Sequence, residues 1–188
     1  MHRSTRLRVT VAVSVLLGAG QLAIGWGQEP SEPKAPTSAA SRPVKRISVS
    51  EARRQAELLH VAMHSALQLV HHRYYREDEG LPIPAAIVEE IFADIESELP
   101  VKLRWLVVEG QAMNTDHLAQ DDFERAAVKA LKADKADKPF HEEVSAGTFR
   151  RAAAITLSNH CLKCHVPDRK STEDRSAGLI ISIPVTSE

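Results

Sequence analysis

The only two thiols of the 188-residue chain, Cys161 and Cys164, stand three positions apart and are followed at once by an imidazole, in the run Cys161-Leu162-Lys163-Cys164-His165. This is the spacing by which c-type haem is attached. The geometry asked of it is narrow. Two sulfurs must reach the two vinyl groups of one porphyrin, and the adjacent imidazole must then fall beneath the iron as its proximal ligand. On this reading Cys161 and Cys164 form thioethers, His165 binds iron, and the cofactor is one covalent haem c per chain. Three other chemistries use such a pair. A disulfide closing so short a loop removes little chain entropy and is more often redox-active than structural. A thioredoxin-like dithiol wants the pair at the start of a helix in a βαβ pattern, a context missing here. A zinc site needs a fourth ligand and commonly a second cysteine pair, which this chain lacks.

A sixth iron ligand would have to come from elsewhere. His60, His64, Leu67, His71 and Tyr75 trace one stripe at spacings of three and four, and that stripe could face a haem. The pair His71-His72, followed by Tyr74-Tyr75, is the expected region near iron, with His71 or His72 as the distal ligand. Surface or partly buried histidines are the plainer reading of each one taken singly. Met63 and Met113 are weaker candidates, Met63 reading better as core filler, and His160 as a local contact. A methionine would raise the reduction potential relative to a second histidine, and an empty position would admit a gas.

These residues need a scaffold, and the chain supplies one domain's worth. Its opening is unlike the rest: His2, Arg3, Arg6 and Arg8 precede an apolar run, Val9 to Ile24, free of acids. That is the layout of an export signal, with small residues at Gly25 and Gly27 for cleavage. Ser14, Gly18, Gly20 and Gln21 make it a poor permanent span, although an uncleaved tether stays open. Residues 28–46, rich in Pro, Ser and Ala without apolar period, read as a flexible linker, and residues 47–188 as the folded domain. Removing residues 1–27 takes away three arginines and no acid. That leaves 21 Lys and Arg against 25 Asp and Glu, a net charge of −4. No basic block interleaved with aromatics is present, so nucleic acid is not an expected partner.

Within the domain, Ser48 or Ser50 can cap a long helix reaching about Tyr75, with apolar positions Ala52, Ala56, Leu59, Met63, Leu67 and Val70. Pro82 and Pro84 break the chain before a second helix over roughly 84–98. Val101, Leu103, Trp105 and Val107 then alternate with Lys102 and Arg104, as in a strand with one buried face at its start, and Glu109 to His117 reads as a loop. Asp121 and Glu124 can cap a third helix, which the Lys132–Lys138 cluster ends in solvent. Phe140 to Ser145 and Thr148 to Leu157 flank Ala146-Gly147 as a hairpin, and after a polar loop, Pro167 to Ser176, a last strand runs from Leu179 to Val185. Helices first, then hairpin-linked strands, predict an α+β fold around an antiparallel sheet.

The stretch from about Lys102 to Pro184 resembles a family of bacterial c-type haem domains, first catalogued as a domain of unknown function and found as exported proteins and as histidine-kinase sensor regions. The resemblance rests on the strand Lys102-Leu103-Arg104, the loop Asn114 to Asp116, and Phe123-Glu124. It continues through Phe149-Arg150-Arg151-Ala152, the attachment run, and the closing strand Gly178 to Pro184. It implies a PAS-like fold, a curved antiparallel sheet with flanking helices preceded by a long N-terminal helix, and a role in redox or gas sensing. Members often carry an iron-ligating cysteine in the preceding helix. Here the matching segment, Ala85 to Leu99, has none, which returns the distal position to the first helix.

The expectation is therefore an exported, periplasmic monohaem protein that senses redox state or a diatomic ligand, or passes single electrons. A redox protein or a membrane-bound signalling protein would be its partner. Arg104 and Arg150 are expected beside the haem propionates, whose carboxylates suit a guanidinium fork. No catalytic turnover is expected, because no constellation of distal acid and base groups is evident. A peroxidase-type haem enzyme and a haem-free dithiol redox protein are the alternatives.

Overall fold

The computed structural model describes residues 45–133 and 139–186. The expected export signal and the linker as far as residue 44 lie outside these residues, as do residues 134–138 of the lysine-rich cluster expected to end the third helix.

Helix α1, Val49–Arg73, starts where Ser48 accepts the Glu51 amide at 3.2 Å and places His71, His72 and Arg73 in its last turn, where the helix dipole favours positive charge. Ala52 and Ala56 are fully buried, so the helix lies close against the sheet. Helix α2, Pro84–Glu98, begins on the proline, whose fixed φ suits a first helical position. Its Val88 and Phe92 are buried. Phe92 packs on Trp105, with ring centroids 4.8 Å apart, while the indole N–H donates to the Ala85 carbonyl.

The sheet is antiparallel throughout, in the order β1-β4-β3-β2. Its strands are β1 (Lys102–Leu106), β2 (Phe140–Ser145), β3 (Thr148–Leu157) and β4 (Arg175–Pro184). Ala146 and Gly147 link β2 to β3 with φ of 48° and 72°, the left-handed pair that a tight hairpin twisting with its strands requires. Because side chains alternate across a strand, the sheet has two inner faces. Leu103, Trp105, Phe149, Ile155, Leu179, Ile181 and Ile183 face α1 and α2. Leu106, Ala152 and Ile180 face helix α3, Asp122–Ala133, through Phe123, Ala127 and Leu131. Asp121 accepts the Glu124 amide and Glu124 reaches back to the Gln120 amide, so the expected cap of α3 forms one residue further upstream on the return bond.

The α+β architecture, the hairpin and the long first helix agree with the sequence reading. Two boundaries differ. α1 ends at Arg73, with the amides of Tyr74 and Tyr75 both turning back to the Val70 carbonyl. β4 begins at Arg175, four residues earlier than its apolar pattern indicates, because Arg175, Ser176 and Ala177 pair with Leu157, Thr156 and Ile155 at the far end of β3.

That far end of β3 extends beyond β2, whose pairing stops at Ala153, so its outer backbone edge needs other partners. α1 provides them. His60 Nε2 lies 2.9 Å from the Ala154 carbonyl, the Thr156 amide reaches His64 Nε2 at 3.4 Å, and the Gln68 amide donates to the Thr156 carbonyl at 2.7 Å. Three side chains four residues apart on one helix thus close an open strand.

Candidate haem-attachment site

β3 leads through Ser158 into the short helix α4, Asn159–His165, which carries the whole cysteine motif. Positions three and four apart share a helix face, so Cys161, Cys164 and His165 lie together on one side. Leu162, within the same turn, is fully buried and anchors it. The Val166 amide and the Arg169 guanidinium both donate to the Leu162 carbonyl and hold the exit.

Both thiols are free; Cys161 is half-buried, with its Sγ 3.8 Å from Ser158 Oγ, and Cys164 is exposed. Together with His165 they line one cavity of about 280 Å³. Trp105, Leu106, Ile155, Leu157 and Ala177 give it an apolar floor, and Leu67, Ile83, Ala85 and Ala86 close its sides. This is near the lower end of small-molecule sites, about 300–1,000 Å³, so a macrocycle joined to these thiols would keep an edge toward solvent.

His165 is held from behind by the loop after β1. The Gln111 amide donates to the His165 carbonyl at 2.7 Å. Gly110, at φ 85°, passes so close that a Cβ there would stand 2.4 Å from the same oxygen. Burial lowers the pKa of the imidazole below the ordinary histidine value, and a hydrogen bond to the Gln111 backbone offsets part of that shift. The neutral ring so favoured is the form that ligates metals.

The structure separates the expected distal candidates. His71 lines the cavity, its ring 5.1 Å from Tyr75 and 6.4 Å from His160. His72 is exposed and outside the lining, edge-on to His160 at 5.2 Å. Of the stripe on α1, His60 and His64 serve the β3 backbone instead of the cavity. Met113 sits at the cavity wall and is largely exposed, whereas Met63 packs against the core.

Arg104 and Arg150, expected beside propionates, are not brought to the cavity. Alternation along β1 and β3 points them to the α3 face, where both engage the buried carboxylate of Glu124, at 2.8 and 3.1 Å. Arg150 also pairs with Asp121 at 2.6 Å and lies over the Phe123 ring; Arg104 donates to the carbonyls of Asp116 and Leu118. Burial alone would raise the Asp121 pKa, but the Glu124 amide, Arg150 and Arg125 outweigh it and hold the carboxyl below its ordinary value.

One pair in the cavity wall escaped the sequence reading. His117 Nε2 lies 2.6 Å from Glu89 Oε1, joining the loop before α3 to α2. Nothing local links residues 28 positions apart, so only the packing of α2 against β1 reveals them. Among the described residues no group of three or more His, Cys, Asp or Glu side chains is arranged to hold a bare metal ion.

A family model described as Tll0287-like, Tll0287, matches residues 45–181, which takes in the attachment run and nearly all of the stretch 102–184. Among solved structures the chain is similar to one titled "Crystal structure of the cyanobacterial heme-protein Tll0287". The identity is 14% and the TM-score 0.47, covering 74% of this chain and 94% of that one. No curated protein matches the chain.

Proposed function

We propose, from the premise that this chain belongs to the Tll0287-like family, that it is an exported c-type haem protein which exchanges single electrons or senses redox state or a diatomic ligand. Cys161 and Cys164 would carry the haem through thioethers, and His165 would be its proximal ligand. The observation that supports this best is the convergence of both free thiols and a half-buried, hydrogen-bonded imidazole on one apolar-floored cavity. Bound haem would supply a one-electron couple.

This chain's residues define what the cavity does around that couple. Leu162 and the Gly110–Gln111 loop fix the His165 backbone, so the ring is positioned before any ligand arrives. Trp105, Ile155 and Leu157 exclude water from the floor. His71 is the distal candidate of the pair, because it reaches the cavity and His72 does not. Export rests on the basic and apolar opening of the sequence.

The test is protein made in a host competent for cytochrome maturation. One haem per chain that survives denaturation, lost in Cys161→Ser/Cys164→Ser, is expected; colourless protein with the mass of the bare polypeptide overturns the assignment. His71→Ala should change the reduced spectrum and open the iron to carbon monoxide, while His72→Ala should not.

A peroxidase-type enzyme is the second reading, favoured by the His117–Glu89 pair in the cavity wall, since such a couple can relay protons. Peroxide-dependent dye oxidation that falls in His117→Gln with haem content unchanged would select it.

A further inference from the structure

We propose that the outward face of α2, beside the cavity mouth, is the docking surface for a basic redox protein that exchanges one electron with the haem. This rests on the haem assignment above and adds the chemistry of the partner. A macrocycle on Cys161 and Cys164 keeps an edge toward solvent, and electron tunnelling falls off steeply with distance, so a partner has to sit at that edge. Ile83, Ala86 and Glu89, at the start of α2, line the cavity. The helix buries Pro84, Val88 and Phe92, whereas Ile83 and Ile87 are 43% exposed and Ile91 41%. These isoleucines follow one another at single turns, so an apolar patch starts at the mouth and runs outward.

The charge around the patch selects what covers it. Residues 77–101 hold eight acids and no Lys or Arg. Glu90, Asp94 and Glu98 stand four apart on the exposed side of α2, and Asp78 and Glu79 are exposed in the turn before Leu81. This arrangement works against the helix itself. Like charges four apart repel. The first turn, where the dipole favours an acid, has none, and the last, where it favours a base, has no base and holds Glu96 and Glu98. Lys102 answers Glu96 at 3.2 Å and His117 answers Glu89, but among the described residues no cation pairs with Glu90, Asp94 or Glu98. A basic surface supplies those counter-charges and is steered to the mouth by them. An apolar centre with a charged rim is also the usual anatomy of a specific contact. The same field repels anionic lipid, nucleic acid and a second copy of this face. Arg73, at the end of α1, and Lys163, on α4, belong to the elements of the other walls, so the partner is turned toward α2.

The test mixes the full haem-loaded chain with a lysine-rich c-type cytochrome, either native or with its lysines succinylated to reverse their charge. One electron passes from the ferrous to the ferric haem, in the direction the two potentials set, with no proton or bond exchanged. In stopped flow at low ionic strength the native probe should react at least about tenfold faster than the succinylated one. The gap should close at about 1 M salt, where screening acts within about 3 Å. Glu90→Lys should slow the native probe and speed the succinylated one, and Ile87→Ser should slow the native probe without changing its salt dependence. Glu143→Lys makes the same change of net charge on the α3 face of the sheet, paired across from Arg150, and should do neither. Colourless protein refutes the haem assignment and this surface with it. Haem-loaded protein that reacts equally with both probes, or responds alike to Glu90→Lys and Glu143→Lys, overturns the surface alone.

Discussion

Gly110→Ala should damage the protein in a way that Gly80→Ala does not, although both glycines are left-handed, at φ 85° and 63°. An L-residue in that region costs about 1–2 kcal/mol, and replacing glycine returns roughly 0.4–1 kcal/mol by restricting the unfolded chain. At Gly80 a Cβ meets nothing within 4 Å, so the net cost there is about 1 kcal/mol. At Gly110 a Cβ would stand 2.4 Å from the His165 carbonyl oxygen, where ordinary contact begins at 3.4 Å. Backbone must therefore retreat by about 1 Å, enough to break the 2.7 Å bond from the Gln111 amide to that oxygen. Leaving those groups unsatisfied adds roughly 1–3 kcal/mol. Gly110→Ala should then cost about 3 kcal/mol in all, or roughly 10 °C of midpoint for a domain of this size, against roughly 3–4 °C for Gly80→Ala. Urea unfolding of the two variants beside the wild type measures the difference. In haem-loaded protein only Gly110→Ala should also shift the spectrum of the iron. Midpoints within about 0.5 kcal/mol of each other, below the smallest contact cost, would refute the claim that this loop positions His165.

Other outcomes follow from the same contacts. Ala146→Asn should stabilise by about 0.5–1 kcal/mol in thermal unfolding, since asparagine tolerates the left-handed hairpin position better than alanine. Gln68→Met should cost about 1–3 kcal/mol by leaving the Thr156 carbonyl unpaired, and hydrogen exchange should speed up at the end of β3 before it does in β4. Glu124→Gln should destabilise by about 3 kcal/mol, the usual result of removing one partner from a buried ion pair, because Arg104 and Arg150 then share no carboxylate. The Asp121 carboxyl is lowered in the folded state, so its contribution is present above the unfolded value and is lost as pH falls through the folded one. Asp121→Asn should therefore flatten the stability profile below about pH 4.

What could be read from the sequence was local. Ser48, Pro84 and Asp121 mark helix starts by capping chemistry that acts within one turn, and Ala146-Gly147 marks the hairpin. The cysteine run is legible as a candidate site because thiols and imidazole are adjacent in the chain, and α4 brings all three to one cavity. What could not be read depends on partners far away. Arg175 and Ser176 carry no strand signal and are extended because the end of β3 lies opposite them. Arg104 and Arg150 have the guanidinium groups a propionate would want. The alternation that placed them on a strand also determines which face they take, and only α3 shows that Glu124 waits there. The histidine stripe was visible but its division was not: His60 and His64 answer the unpaired edge of β3, and only His71 continues to the cavity.

The Ile47 amide meets the Pro184 carbonyl, the Thr186 amide returns to the Ile47 carbonyl, and Arg46 donates to the carbonyls of Gly147 and Val185, so the first and last described residues of the domain share one pole. The thiols occupy the other, beyond the length of α1, about 37 Å for 25 residues at 1.5 Å each. Held to a bead, an electrode or a fused protein through either of these strapped segments, the described domain would turn its sulfur-bearing mouth away from the support.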